Sequence, residues 1–90
     1  MYYCVYEEGN CNVRNCSEGN EFFKRQNYTE AVKKYTQAIE LDGTNHVYYS
    51  NRSAAYSGQS LFAEAASDGE KCVSLNPQFV KGRNVQINVA

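Results

Sequence analysis

The side chains that could do covalent or metal chemistry are few, and their spacing argues against it. Cys4, Cys11 and Cys16 lie seven and five residues apart, no Cys-x-x-Cys pair occurs, and the single histidine, His46, is remote from them. Zinc sites need ligands at short, regular intervals, so a thiol or metal function of this cluster is the weaker reading, which the zinc content of the purified protein would decide. Free thiols are expected instead, with Cys72 as a small core residue. No nucleophile neighbours His46 in sequence and no glycine-rich loop could cradle a phosphate, so the chain reads as a non-enzyme that implies no cofactor. What remains is hydrogen-bonding chemistry. In the run Asn45 to Tyr56, Asn51 occupies a mid-helix position that disfavours Asn, because its carboxamide competes for nearby backbone groups. Ala54 and Gly58 follow at helical spacing and are small, a stripe that another polypeptide backbone could approach. The plain alternative is that Asn51 is a solvated polar position.

Composition narrows the class. Ninety residues with one proline and 42% hydrophobic residues describe one small globular domain. A chain this short buries only about 60 to 65% of its unfolded surface, so its core is thin. The net charge of -1, with both signs interspersed, gives no reason to expect a nucleic acid or an anionic membrane as partner. No apolar run reaches the roughly 20 residues that cross a bilayer, and the N-terminal stretch turns acidic too early for a signal peptide, so a cytoplasmic location is expected. Three Asn-x-Ser/Thr triplets, at Asn15, Asn27 and Asn51, are then chance matches to the glycosylation pattern.

The elements that must position these residues follow from periodicity. Residues 1–13 sustain no helical stripe and read as an irregular leader. A helix is expected from about Val13 to a stop at Gln26 and Asn27. A second follows, capped by Thr29, with Ala31, Val32, Tyr35, Ala38, Ile39 and Leu41 as its apolar stripe. Gly43 is placed to take a positive φ after that helix. A third helix covers about 45 to 58, and a fourth about 61 to 75, stopped by Asn76 and Pro77. Residues 79–90 begin as a helix would and end in strand-like alternation. A shift of 34 residues lays Gly19 on Ser53, Phe22 on Tyr56, Ala31 on Ala65, Ala38 on Cys72 and Gly43 on Pro77. Small, aromatic and turn residues therefore recur in phase, the pattern of a tetratricopeptide repeat. The expected fold is all-α, a tetratricopeptide-repeat solenoid of two helix-turn-helix repeats, about 14–43 and 45–77, plus a short partial capping helix over 79–90. Phe22, Tyr35, Ala38, Tyr56, Ala65 and Cys72 should be interior. Tyr35 pairs with Gly69, so the second unit lacks an aromatic there, and Phe62 is the candidate to replace it.

The stretches at 18–23, 28–42 and 46–56, the last carrying Ser-Asn-Arg-Ser-Ala-Ala-Tyr, resemble the first tetratricopeptide domain of the Hsp-organising (stress-induced phosphoprotein) co-chaperones. The resemblance covers residues 18–82. It implies a protein-protein interaction module that binds the acidic C-terminal Glu-Glu-Val-Asp tail of cytosolic heat-shock chaperones of the seventy- or ninety-kilodalton class through a carboxylate clamp. On that pattern Asn20 and Asn51 would hydrogen-bond the peptide, Lys81 would supply charge, and Phe23 and Ala54 would meet its apolar side chain. The family's first-helix Lys is Cys16 here, its last-helix Arg is Val85, and a further groove Lys falls at Gly58, so the clamp is incomplete. The sequence also stops short of the long capping helix of such domains, as expected of an abridged product of a longer gene. The competing expectation is a truncated scaffold with little or no peptide binding.

Overall fold

The computed structural model describes residues 13–76. Among these, four helices follow in order: α1 (Arg14–Lys24), α2 (Tyr28–Leu41), α3 (His46–Gly58) and α4 (Phe62–Leu75). Among the described residues there is no strand. The leader expected over 1–13, apart from Val13, and the partial capping helix expected over 79–90 lie outside the described residues. Each helix packs on the next, and α1 also touches α3. Connections this short make neighbouring helices antiparallel, so α1 with α2 and α3 with α4 form the two stacked units that the repeat predicts.

Local chemistry sets the helix ends. Asn27 caps α2, its Oδ1 accepting from the Glu30 N–H at 3.4 Å, and Asn45 caps α3, accepting from the Val47 N–H at 2.9 Å. The cap expected at Thr29 therefore lies two residues earlier in the chain, at Asn27, and the Thr29 hydroxyl instead accepts from Gln59 Nε2 at 2.9 Å. Gly43 does not adopt a positive φ. Asp42 organises that turn, its Oδ1 accepting from the Thr44 hydroxyl at 2.7 Å and the Thr44 N–H at 3.2 Å. Those two bonds, the hydroxyl's first, hold the Asp42 carboxyl below its ordinary value. A depressed carboxylate stabilises the turn above its unfolded pKa, and the contribution is lost as pH falls through the folded one.

The core joins α1, α2 and α3 through Cys16, Ala31, Tyr35, Ala38, Val47, Tyr48 and Ala55, all fully or almost fully buried. Of the residues expected inside, Tyr35, Ala38, Ala65 and Cys72 are buried, whereas Phe22 and Tyr56 are only half-buried. Both lie in the last turn of their helix. In the first unit Gly19 admits the Tyr35 ring, whose atoms lie 2.6 and 2.7 Å from where a Cβ would stand. The second unit solves the same contact differently. Phe62 does not replace the missing aromatic, because 63% of it is exposed. Instead Gly69 is buried, and the Ser53 hydroxyl donates to the Ala65 carbonyl at 2.8 Å, so small residues on both sides bring α3 and α4 together.

Candidate functional site

Asn20 sits in α1 directly after Gly19, and Asn51 sits in the middle of α3. Packing of α1 against α3 brings their carboxamides together, with Asn51 Nδ2 donating to Asn20 Oδ1 at 3.2 Å. The same oxygen accepts from the Tyr35 hydroxyl at 2.6 Å, so one polar knot ties α1, α2 and α3. Both asparagines are buried, Asn20 with 4% and Asn51 with 0% of its surface exposed. Asn51 is thus not the solvated residue that its type alone suggests. A mid-helix Asn is tolerated here because its amide has a partner on another helix.

Of the remaining candidates, Phe23 and Ala54 lie on the same helices as the two asparagines. Phe23, half-buried, meets Tyr28 edge-on with ring centroids 5.5 Å apart. Ala54, also half-buried, follows Asn51 on α3 by one turn. Lys81 lies outside the described residues. Gly58 is not an open approach for a foreign backbone, since the Tyr28 ring comes within 2.7 Å of where its Cβ would be. Lys24 pairs with Glu21 at 3.9 Å on the exposed side of α1. Cys16, one turn before Asn20, is fully buried and is disulfide-bonded. The free-thiol expectation fails there, because it rested on compartment and not on geometry. A lysine in place of Cys16 would carry its ammonium into the core, which is costly without a counter-charge.

Sequence reasoning missed a second polar assembly. Arg52 grips Asp68 with two bonds, Nε to Oδ2 at 2.7 Å and Nη2 to Oδ1 at 2.8 Å, while Nη1 reaches the Thr36 hydroxyl at 3.0 Å. Its guanidinium also lies 5.9 Å from the Tyr49 ring centre and 5.7 Å from that of Tyr56. The Asp68 hydrogen bonds raise the Arg52 pKa above its ordinary value. The legible signal was a pair of opposite charges on the buried faces of α3 and α4, which a partner-blind reading passes over. His46 faces Asn76 Nδ2 across 3.3 Å, so its ring is engaged in holding the end of α4 to the start of α3.

Comparison with known proteins agrees with this geometry. Residues 19–60 match the family model described as a TPR repeat. A heat shock protein sti1 homolog of Schizosaccharomyces pombe is 44% identical over 66 residues, 73% of this chain and 11% of that protein. The Hsp70-Hsp90 organizing protein 2 of Arabidopsis thaliana is 40% identical over 77 residues, 86% of this chain and 14% of that protein. Serine/threonine-protein phosphatase 5 of Homo sapiens is 38% identical over 66 residues, 73% of this chain and 13% of that protein. The chain thus spans only 11 to 14% of the length of these relatives. Repeat period, stacked helix pairs and matched segment coincide: the helical part of this chain is a tetratricopeptide-repeat domain, similar to the repeat region of the Hsp-organising co-chaperones.

Proposed function

We propose that the domain is a protein-protein interaction module that takes the acidic C-terminal tail of a cytosolic heat-shock chaperone. The observation that carries the reading is the meeting of Asn20 and Asn51 at 3.2 Å, two carboxamides from different repeats converging on one place. Carboxamides offer a donor and an acceptor each, which suits an extended peptide and its terminal carboxylate. The names of the relatives, which refer to heat-shock proteins of the seventy and ninety classes, supply the partner class. The phosphatase name belongs to a protein of which this chain matches 13%. In this reading Phe23 and Ala54 line the apolar side of the groove and Lys81 is its cation.

With Cys16 and Val85 where the family pattern has basic residues, two charge-assisted bonds are missing, each worth about 1.5 to 3 kcal/mol. Affinity should then be lower than that of a complete clamp by about a hundredfold or more. The burial of Asn20 and Asn51 favours a second reading, in which the knot is purely structural and the domain is a scaffold. In a reducing cytosol the Cys16 disulfide should open and leave a buried thiol. Calorimetric titration of the full chain at low salt with a peptide ending in Glu-Glu-Val-Asp separates the two readings. Weak binding that falls with added salt and is lost in Asn51→Ala supports the module, whereas no heat at millimolar peptide leaves the scaffold.

A further inference from the structure

We infer that the Cys16 disulfide is a redox latch timed by α1: a reductant breaks it only when the start of that helix lifts from the core. Cys16 lies in the first turn of α1, is disulfide-bonded and has none of its surface exposed. It belongs to the core cluster that also holds Tyr35, Val47 and Tyr48. A dithiol reductant has two routes to such a bond. In one, its thiolate attacks Cys16 Sγ and expels the other cysteine; in the other, it attacks the other sulfur and expels Cys16. Either way the second thiol of the reductant resolves the mixed disulfide. Two electrons pass to the protein, and both cysteines leave as thiolates that take up protons.

Burial obstructs both routes. The first needs contact with a sulfur that solvent does not reach. The second leaves a thiolate on Cys16 among apolar side chains, where a charge is costly. Lifting the start of α1 removes either obstacle, so the rate of release follows the opening of that helix. What holds α1 down lies one turn further on. Asn20 Oδ1 accepts from the Tyr35 hydroxyl of α2 at 2.6 Å and from Asn51 Nδ2 of α3 at 3.2 Å, so the polar knot is the catch of the latch. A disulfide made while the surroundings oxidise then persists after a reductant returns, for as long as α1 stays closed. No step requires a bound peptide.

Cys72 supplies an internal comparison, because it is a free and fully buried thiol in α4. Its alkylation reports the opening of the second unit, as reduction at Cys16 reports that of the first. The test uses the full chain, oxidised in a glutathione buffer, as wild type, Asn20→Ala and Asp68→Ala. Dithiothreitol is added, samples are quenched in acid, and peptide mass mapping follows the disulfide at Cys16. In parallel, iodoacetamide without reductant follows Cys72. The wild-type disulfide should be reduced at least about tenfold more slowly than oxidised glutathione. Asn20→Ala should speed the reduction by about tenfold and leave Cys72 alkylation unchanged. Asp68→Ala, which removes the partner of Arg52, should speed Cys72 alkylation and leave the reduction unchanged. Should Asn20→Ala not fold, Tyr35→Phe removes one bond of the knot and keeps the ring over Gly19, and should speed the reduction by about threefold or more. A wild-type rate equal to that of oxidised glutathione overturns the inference, as does an oxidised chain without a disulfide at Cys16. So does an equal effect of the knot variant and Asp68→Ala on the reduction, which would mean that release needs unfolding of the whole domain.

Discussion

Tyr35 and Tyr48 are both fully buried, yet their hydroxyls have different fates. That of Tyr35 closes the knot with Asn20, while that of Tyr48 finds no hydrogen-bond partner among the described residues. A buried polar atom left unpaired costs about 1 to 3 kcal/mol, whereas removing it with its shape retained restores that amount. Tyr48→Phe should therefore raise the stability of the domain by about 1 kcal/mol, read as a higher urea midpoint with an unchanged slope. A lower midpoint would show that the hydroxyl is satisfied in solution. The repeat pattern makes Tyr35 legible as an interior residue, whereas it does not place Tyr48 inside. Which hydroxyl meets Asn20 depends on the crossing of α1 and α2, which no single position reveals.

At the scale of the element, α1 and α3 end in the same way. Gln26 has φ 63° and Ser60 has φ 62°, and the two positions are equivalent under the 34-residue shift. Behind Gln26, the Asn27 N–H bonds the Phe22 carbonyl at 2.9 Å and the Gln26 N–H bonds that of Phe23 at 2.9 Å. The Leu61 N–H to Tyr56 and Ser60 N–H to Ser57 bonds repeat the pattern at 2.9 and 3.0 Å. These are Schellman caps, which favour glycine at the left-handed position, because other L-residues pay about 1 to 2 kcal/mol to adopt it. Gln26→Gly and Ser60→Gly should each stabilise the fold by about 0.5 to 1 kcal/mol after the extra chain entropy of glycine is subtracted. Thermal melts of the single and double variants check this, with additive gains expected for sites so far apart. The stops themselves were legible from breaks in periodicity. Their left-handed geometry was not, since neither position carries the residue that advertises it.

At the scale of the whole molecule, the two units are held by unlike means. The first relies on an aromatic against a glycine, the second on small residues plus the Arg52–Asp68 pair, whose side chains are 18% and 7% exposed. Because Arg52 also bonds Thr36 of α2, the pair anchors α4 through α3 to the first unit. Removing one partner leaves an uncompensated, mostly buried charge, which typically costs about 3 to 5 kcal/mol. Asp68→Ala should lose about 3 kcal/mol, and its amide exchange should accelerate in α4 far more than in α1. Equal acceleration in both helices would mean that the units unfold as one. Leu61 and Phe62, 40% and 63% exposed, leave the start of α4 uncovered, so α4 should already be the faster-exchanging of the two in the wild type.

Periodicity by itself determined the four helices, because an apolar stripe every three to four residues can be buried only by a helix. The 34-residue recurrence determined that they pair and stack, since small and aromatic residues in phase allow close approach at only one register. Those properties are local or repeat locally, so they can be read along the chain. Tertiary structure alone decided the rest. Asn20 lies 31 positions from Asn51, and Arg52 lies 16 from Asp68, and whether such side chains meet depends on how helices cross. The same crossing placed Tyr28 on Gly58, buried Cys16 and left Phe62 in solvent. Polar partners chosen across helices are settled by three-dimensional packing, and the candidate site of this protein is made of such partners.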